Sequence, residues 1–283
     1  MPATDESTIV LRFENVSVSF DGVPALRNVS FEVPHGETRI LFGAAGSGKT
    51  VALKTALGLI RPDSGSVWVL GKEITGLTEK QLYDVRTRIG MLFQESALFD
   101  SLTIAENVAY PLLNRHGVEL PPEEVARRVR EALRFVELEH TLEKLPSELS
   151  GGMRRRVAIA RAVVTEPPLL LYDSPTAGLD PITATTILRL IVKQRDWSNT
   201  TNLIVTHRYQ NGNLMANCWY NPQTGKLERE RRADTGETWV QGRRTSGTRF
   251  FGFREGRLIF DGVQAELEAS TDPYVAKFVG HNG

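Results

Sequence analysis

The sequence predicts an α/β fold built on a mainly parallel sheet. Short runs (Thr38 to Phe42, Leu169 to Tyr172, Leu203 to Val205), more uniformly apolar than an alternating strand, read as strands buried on both faces. Segments of helical period lie between them, as parallel strands require. Alternation over residues 9–20 (Ile9, Leu11, Phe13, then Val16, Val18, Phe20) adds an antiparallel opening ahead of that sheet.

In chain order, Asp21-Gly22 turns the first strand into a second around Val29 to Val33, which stops at Pro34-His35-Gly36. The run Thr38 to Phe42 flows into Gly43. Val51, Leu53, Ala56, Leu57 and Leu59 then suggest a helix ended by Pro62. Short strand candidates follow over 66–92 (Val67 to Leu70; Ile89 to Phe93). Helical patterning dominates from about 97 to 165, where Val125, Val129, Ala132, Leu133 and Val136 share one face. Pro167-Pro168 halts it before Leu169 to Tyr172 and Asp173, and Ile182 to Val192 reads as helix. Residues 210–249 break the rhythm, with turn signals at Asn221-Pro222 and Thr224-Gly225. Their bases (Lys226, Arg229, Arg231, Arg232, Arg243, Arg244, Arg249) outnumber their acids (Glu228, Glu230, Asp234, Glu237). That suits a solvated insertion or hairpin, or else a contact with a partner or anionic lipid. Strand patterning resumes over Phe250 to Phe260. The whole of 1–283 reads as one domain.

Composition narrows the function classes. In 283 residues, 34 Lys+Arg balance 34 Asp+Glu, which argues against a chain whose main task is gripping nucleic acid. With 41% hydrophobic and 24% charged residues it is ordinary globular protein, neither disordered nor fibrous. A single cysteine, Cys218, excludes an internal disulfide and fits a reducing compartment. Met1 to Glu6 lacks the apolar core of a secretory signal, and no run of 18 apolar residues predicts a membrane span. Any membrane role therefore needs a partner that crosses the bilayer.

One motif carries chemistry by itself. Gly43-Ala44-Ala45-Gly46-Ser47-Gly48-Lys49-Thr50 fits G-x-x-x-x-G-K-[ST], which an ordinary chain of this length matches by accident about once in a hundred. It follows an apolar strand and opens a helix. Glycines let backbone N–H groups close on phosphate oxygens, and the helix directs its positive end at the same anion. Lys49 is then placed for the β- and γ-phosphates and the Thr50 hydroxyl for Mg²⁺. Asp173, ending a second apolar strand, is the candidate second metal residue. These features predict a P-loop NTPase core.

Leu149-Ser150-Gly151-Gly152-Met153 precedes Asp173 and runs into Arg154-Arg155-Arg156. With the phosphate loop it makes the chain resemble the ATP-binding cassette family over about 9–209 and 250–270. The arginine run and the tail from Asp272-Pro273-Tyr274 to Phe278-Val279-Gly280 are most similar to cassettes of phospholipid-trafficking (Mla/MCE-type) transporters. That resemblance implies a parallel core, an antiparallel β subdomain and a helical subdomain. It implies two cassettes packed head to tail around two ATPs with Mg²⁺, and a permease seated near 97–110 at the cytoplasmic face of the inner membrane. Ser150, Gly151, Gly152 and, through the loop Ala177 to Asp180, Asp180 would act on the other copy's ATP. Phe20 would stack on adenine, Gln94 would sense Mg²⁺ and water, and His207 would meet the γ-phosphate.

One position departs from the family. Ser174 stands where a glutamate follows the metal aspartate. A serine hydroxyl is no base near neutral pH, and losing a general base slows a reaction by about 10²–10⁴-fold, or about 3–5 kcal/mol of barrier. Three readings stay open: slow hydrolysis driven by positioning, substitution by another carboxylate such as Glu95, or a cassette that holds ATP without turnover. Arg208 after His207 also replaces a common aspartate. The competing functions are a transporter ATPase, lipid-directed by resemblance, a soluble cassette protein, and a non-hydrolysing regulator.

Overall fold

The computed structural model describes residues 9–115, 119–229, 238–240, 243–245 and 247–280. The first strands, β1 (Ile9–Phe20) and β2 (Val23–Pro34), form a hairpin across Asp21-Gly22, both of positive φ as a two-residue turn needs. After β3 (Thr38–Phe42) and α1 (Lys49–Ala56) come β4 (Ser64–Val69) and β5 (Lys72–Glu73). They complete an antiparallel sheet ordered β2-β1-β4-β5.

The remaining elements build the core and its helical flank. They are α2 (Glu79–Arg86), β6 (Ile89–Leu92), α3 (Ile104–Leu113), α4 (Pro122–Phe135), α5 (Gly151–Val163), β7 (Leu169–Asp173), α6 (Pro181–Ser198), β8 (Thr201–Val205) and α7 (Tyr209–Asn217). Two further hairpins, β9 (Cys218–Asn221) with β10 (Lys226–Arg229) and β11 (Thr238–Val240) with β12 (Arg243–Thr245), precede β13 (Thr248–Arg254) and β14 (Arg257–Gly262). Helices α8 (Gln264–Glu268) and α9 (Pro273–Gly280) follow.

The main sheet is ordered β14-β13-β3-β8-β7-β6, parallel throughout except for the β13–β14 hairpin. Strands β3, β7 and β8 are buried at every residue, which is why Ile40 to Phe42, Leu169 to Tyr172 and Leu203 to Val205 are apolar, with buried polar residues confined to the strand ends. One core lies between this sheet and the helices α3 to α6; the other joins it to α1 and the antiparallel sheet, where Phe31 stacks on Phe13 at 4.6 Å and tilts against Phe251 at 5.1 Å. Among the described residues no helix is long and apolar enough to cross a membrane.

Three stretches differ from the sequence expectation. The segment 66–92 holds a helix, α2, beside its strands; Thr78 and Gln81 form a capping box, Thr78 N–H donating to Gln81 Oε1 at 2.9 Å. Helix α1 stops at Ala56, short of Leu59. Gly58, at φ +64°, turns the chain left-handed, with Gly58 N–H donating to Thr55 O and Leu59 N–H to Lys54 O, both at 2.9 Å. The irregular stretch opens with a helix, α7, so the departure from strand–helix alternation begins at Cys218. Within that stretch Arg231, Arg232, Glu230, Asp234 and Glu237 lie outside the described residues. The β9–β10 hairpin docks on the far end of α6. Tyr220 N–H donates to Asp196 Oδ2 at 2.8 Å, and Lys193 lies over the rings of Phe135 and Tyr220.

Candidate functional site

The glycine loop leaves the C-terminal end of β3, between β13 and β8. Gly43 has φ +143°, and a Cβ there would sit 2.2 Å from the Phe253 carbonyl, so no other residue fits the strand end. Lys49 folds back into the loop it follows. Its ammonium donates to Gly43 O at 2.9 Å, Ala44 O at 2.7 Å and Ser47 Oγ at 2.9 Å. Burial pulls its pKa down to about 8 against the pull of Asp173. A buried ammonium held only by neutral oxygens in a glycine-lined turn is a receptor for an anion.

Four further residues converge on it. Asp173 ends β7 in register with Val205 of β8, which places the residues after both strands side by side. Thr50 Oγ1 donates to Asp173 Oδ1 at 3.2 Å, and Ser174 Oγ to the same oxygen at 3.3 Å. Ser174 Oγ also lies 3.5 Å from His207 Nε2. Ser174 is buried and has φ +49°, a conformation costly for a side-chain-bearing residue and frequent at functional sites. The His207 pKa is lowered, first by burial and then by the Lys49 ammonium, so the ring favours its neutral form.

Thr50 and Asp173 can hold a divalent cation between them. Among the described residues no group of three or more His, Cys, Asp or Glu gathers. The cation would take its other oxygens from phosphate and water, as Mg²⁺ commonly does. The donor set therefore fits a magnesium–nucleoside triphosphate.

Other expected residues stand apart. Phe20 is 48% exposed beside the β1–β2 turn, free to stack on a flat ring. Gln94 and Glu95 are exposed beyond β6, and no hydrogen bond joins either to Asp173, Ser174 or His207 among the described residues. Ser150 caps α5, accepting Met153 N–H at 3.3 Å, with Gly151 exposed at the helix tip. Asp180 caps α6, accepting Ile182 and Thr183 N–H at 3.0 Å each. Gly152 packs against Thr183, and a Cβ on it would meet Thr183 Cγ2 at 2.5 Å. Among the described residues, neither helix tip hydrogen-bonds the Lys49 loop.

Near 97–110 the surface is aromatic and firmly held. Phe99 and Tyr110 are exposed with ring centroids 4.6 Å apart. Buried Asn107 accepts Phe99 N–H at 2.8 Å and donates to Phe99, Leu102 and Thr103 carbonyls at 3.0 Å each. Sequence reasoning missed three residues around the site. Arg155, buried on α5, donates to Phe93 O at 3.1 Å and Ala177 O at 3.4 Å. Asn211 Nδ2 donates to Thr176 Oγ1 at 2.7 Å. The Tyr274 hydroxyl accepts Ala44 N–H at 2.7 Å. The arginine run held Arg155 and the tail pattern held Tyr274, without a role for either; no signal pointed to Asn211.

A glycine loop between a parallel strand and a helix, faced by an acid at the end of a neighbouring strand, defines a nucleoside-triphosphate-binding α/β protein. Residues 26–177 match the family model described as ABC transporter, and the chain belongs to that family as an ATP-binding cassette. ATP with Mg²⁺ is the ligand of this class of site. The chain is 43% identical over 197 residues to the methionine import ATP-binding protein MetN of Carboxydothermus hydrogenoformans, covering 69% of this chain and 58% of the relative. It is 38% identical over 199 residues to the probable ribonucleotide transport ATP-binding protein mkl of Mycobacterium leprae, covering 70% and 57%. The matched stretch thus spans less than two thirds of those relatives' own length. Two solved structures share the fold. A dimeric post-hydrolysis state of the ATP-binding cassette MJ0796 bound to ADP and Pi has TM-score 0.72 at 28% identity, covering 90% of this chain and 98% of the other. CbiO1 from Clostridium perfringens, part of the ABC transporter complex cbiONQ, has TM-score 0.74 at 28% identity, covering 94% and 92%.

Proposed function

We propose that this chain is the ATPase subunit of an ABC transporter, moving phospholipid or another lipid through a separate transmembrane partner from the inner face of the cell membrane. The observation that carries the ATPase reading is the split site. The loop with Lys49, Thr50 and Asp173 is one half, and the tips of α5 and α6 are another half that its own loop does not use. Two copies placed head to tail would join the halves, with Ser150, Gly151, Gly152 and Asp180 of one against the nucleotide of the other. Lys49 and the loop N–H groups beyond Ala44, whose own N–H is donated to Tyr274, would bind phosphate, Phe20 would stack on adenine, and Gln94 and His207 would order water. Mg²⁺, when bound, neutralises charge on the β- and γ-phosphates.

The lipid assignment draws support from the Leu149-to-Arg156 run and the Asp272-to-Gly280 tail. The names MetN and mkl point to methionine and ribonucleotide as rival cargoes. The permease would seat on Phe99 and Tyr110. Co-purification of the full chain with an integral membrane protein, followed by transfer assays with labelled phospholipid, methionine and nucleotide, tests this. Turnover stimulated by methionine or nucleotide alone refutes the lipid assignment.

A second reading, a nucleotide-binding regulator with little hydrolysis, is favoured by Ser174, whose hydroxyl faces His207 where a carboxylate would act as base. Steady-state ATPase of the wild type and Ser174→Glu, with the membrane partner present, separates the two. Slow wild-type turnover that rises at least about tenfold in the variant supports an ATPase lacking an optimal base. No wild-type turnover supports the regulator, and no gain in the variant shows that Ser174 does not limit the rate.

A further inference from the structure

The tail of the chain reaches back to the phosphate loop. Asp272 Oδ1 accepts the backbone N–H groups of Tyr274 and Val275 at 2.8 and 3.0 Å, which starts α9. Val275 is buried, and Phe278 stacks on Phe42, the last residue of β3, at 4.3 Å between centroids. Phe278 also meets Tyr209 of α7 edge-on at 5.9 Å. This seating brings the Tyr274 hydroxyl between two backbones. It accepts Ala44 N–H at 2.7 Å and donates to Phe253 O, near the end of β13, at 2.7 Å. The Arg254 guanidinium lies over the ring at 5.6 Å. From the other side, Ala44 O accepts Ser47 N–H at 3.2 Å and the Lys49 ammonium at 2.7 Å.

We propose that Tyr274 is a positioning residue for nucleotide binding, clasping the entry of the phosphate loop to the strand beside it. The inference rests on the ATP reading of that loop. Glycines at 43, 46 and 48 give the segment wide backbone freedom, and a loop that samples many shapes binds its ligand only in the competent fraction. Two hydrogen bonds through one hydroxyl remove part of that freedom before ATP arrives. The hydroxyl acts through the loop, because the N–H it holds is the Ala44 donor itself.

The test uses the full chain and Tyr274→Phe, which keeps the ring and its packing. Without nucleotide, amide hydrogen exchange in a peptide spanning 43–47 should accelerate, while exchange in β3 and β13 and the thermal midpoint stay near wild type. MgATP should bind about three- to ten-fold more weakly, the change expected from losing a hydrogen bond of ordinary strength. Turnover at saturating ATP in the assembled transporter should stay within about twofold, so the defect falls on KM rather than kcat. Asp272→Ala, which loosens the start of α9 and leaves the hydroxyl in place, should give part of the same defect. Unchanged loop exchange and affinity would overturn the proposal, as would tighter ATP binding or exchange that rises equally across β3 and β13. A wild type without MgATP affinity would instead remove the ATP reading itself.

Discussion

Lys49 holds a positive charge in a space that burial makes unfavourable for it, and its pKa of about 8 has two consequences. Below about 8 the amine is charged in the folded and the unfolded chain alike, and the folded chain carries the desolvation cost. Between about 8 and the ordinary 10.5 the folded chain releases the proton while the unfolded chain keeps it, so the stability contribution of this group rises with pH in that window. Anion binding runs the other way, because phosphate needs the ammonium. MgATP affinity should therefore weaken above about pH 8, approaching tenfold per pH unit, and nucleotide titration from pH 7 to 9.5 measures it. A flat profile would show that Lys49 keeps its proton. Lys49→Met should lose MgATP binding at every pH and lack the alkaline gain in thermal midpoint. That Lys49, Thr50 and Asp173 come together was legible from local spacing, since each is fixed by the strand or loop around it. Tyr274 was not, because it joins Ala44 only through the packing of Phe278 on Phe42.

Among the elements, the fully buried strands were readable because burial on both faces favours short apolar runs, here Ile40 to Phe42, Leu169 to Tyr172 and Leu203 to Val205, even though Thr38, Arg39, Thr201 and Asn202 are buried polar residues at the starts of two of them. Helix α2 was obscured for the opposite reason: eight residues, only Leu82 and Val85 of them buried, carry little periodicity. Its capping box, Thr78 with Gln81, was the available signal. The end of α1 was misjudged because apolar periodicity continued through Leu57 and Leu59, whereas Gly58 had already reversed the backbone. Gly58→Ala tests that account. A Cβ would lie 2.6 Å from Leu82 Cδ2 in a left-handed backbone, which costs about 1–2 kcal/mol. The thermal midpoint should fall by about 2–4 °C per kcal/mol, with MgATP affinity near wild type. An unchanged midpoint would show that the helix end relaxes freely.

At the scale of the whole molecule, assembly should depend on apolar surface beside the helix tips. Ile182, in the first turn of α6 next to the Asp180 cap, is 81% exposed. An acidic residue suits a helix N-terminus, so Ile182→Asp should leave the monomer folded and able to bind MgATP. Light scattering under conditions where the wild type doubles its mass with MgATP should find the variant monomeric. Doubling in the variant would place the partner elsewhere. The order of strands in the main sheet also bears on how the chain is made. The strand that carries the glycine loop emerges from the ribosome long before Thr201–Val205 and Thr248–Arg254, the two neighbours that flank it. Until both arrive, its hydrogen-bonding edges are bare and open to pairing with other nascent chains. A product arrested before Thr248 should thus be insoluble and blind to nucleotide, although every residue of the phosphate motif has already been translated.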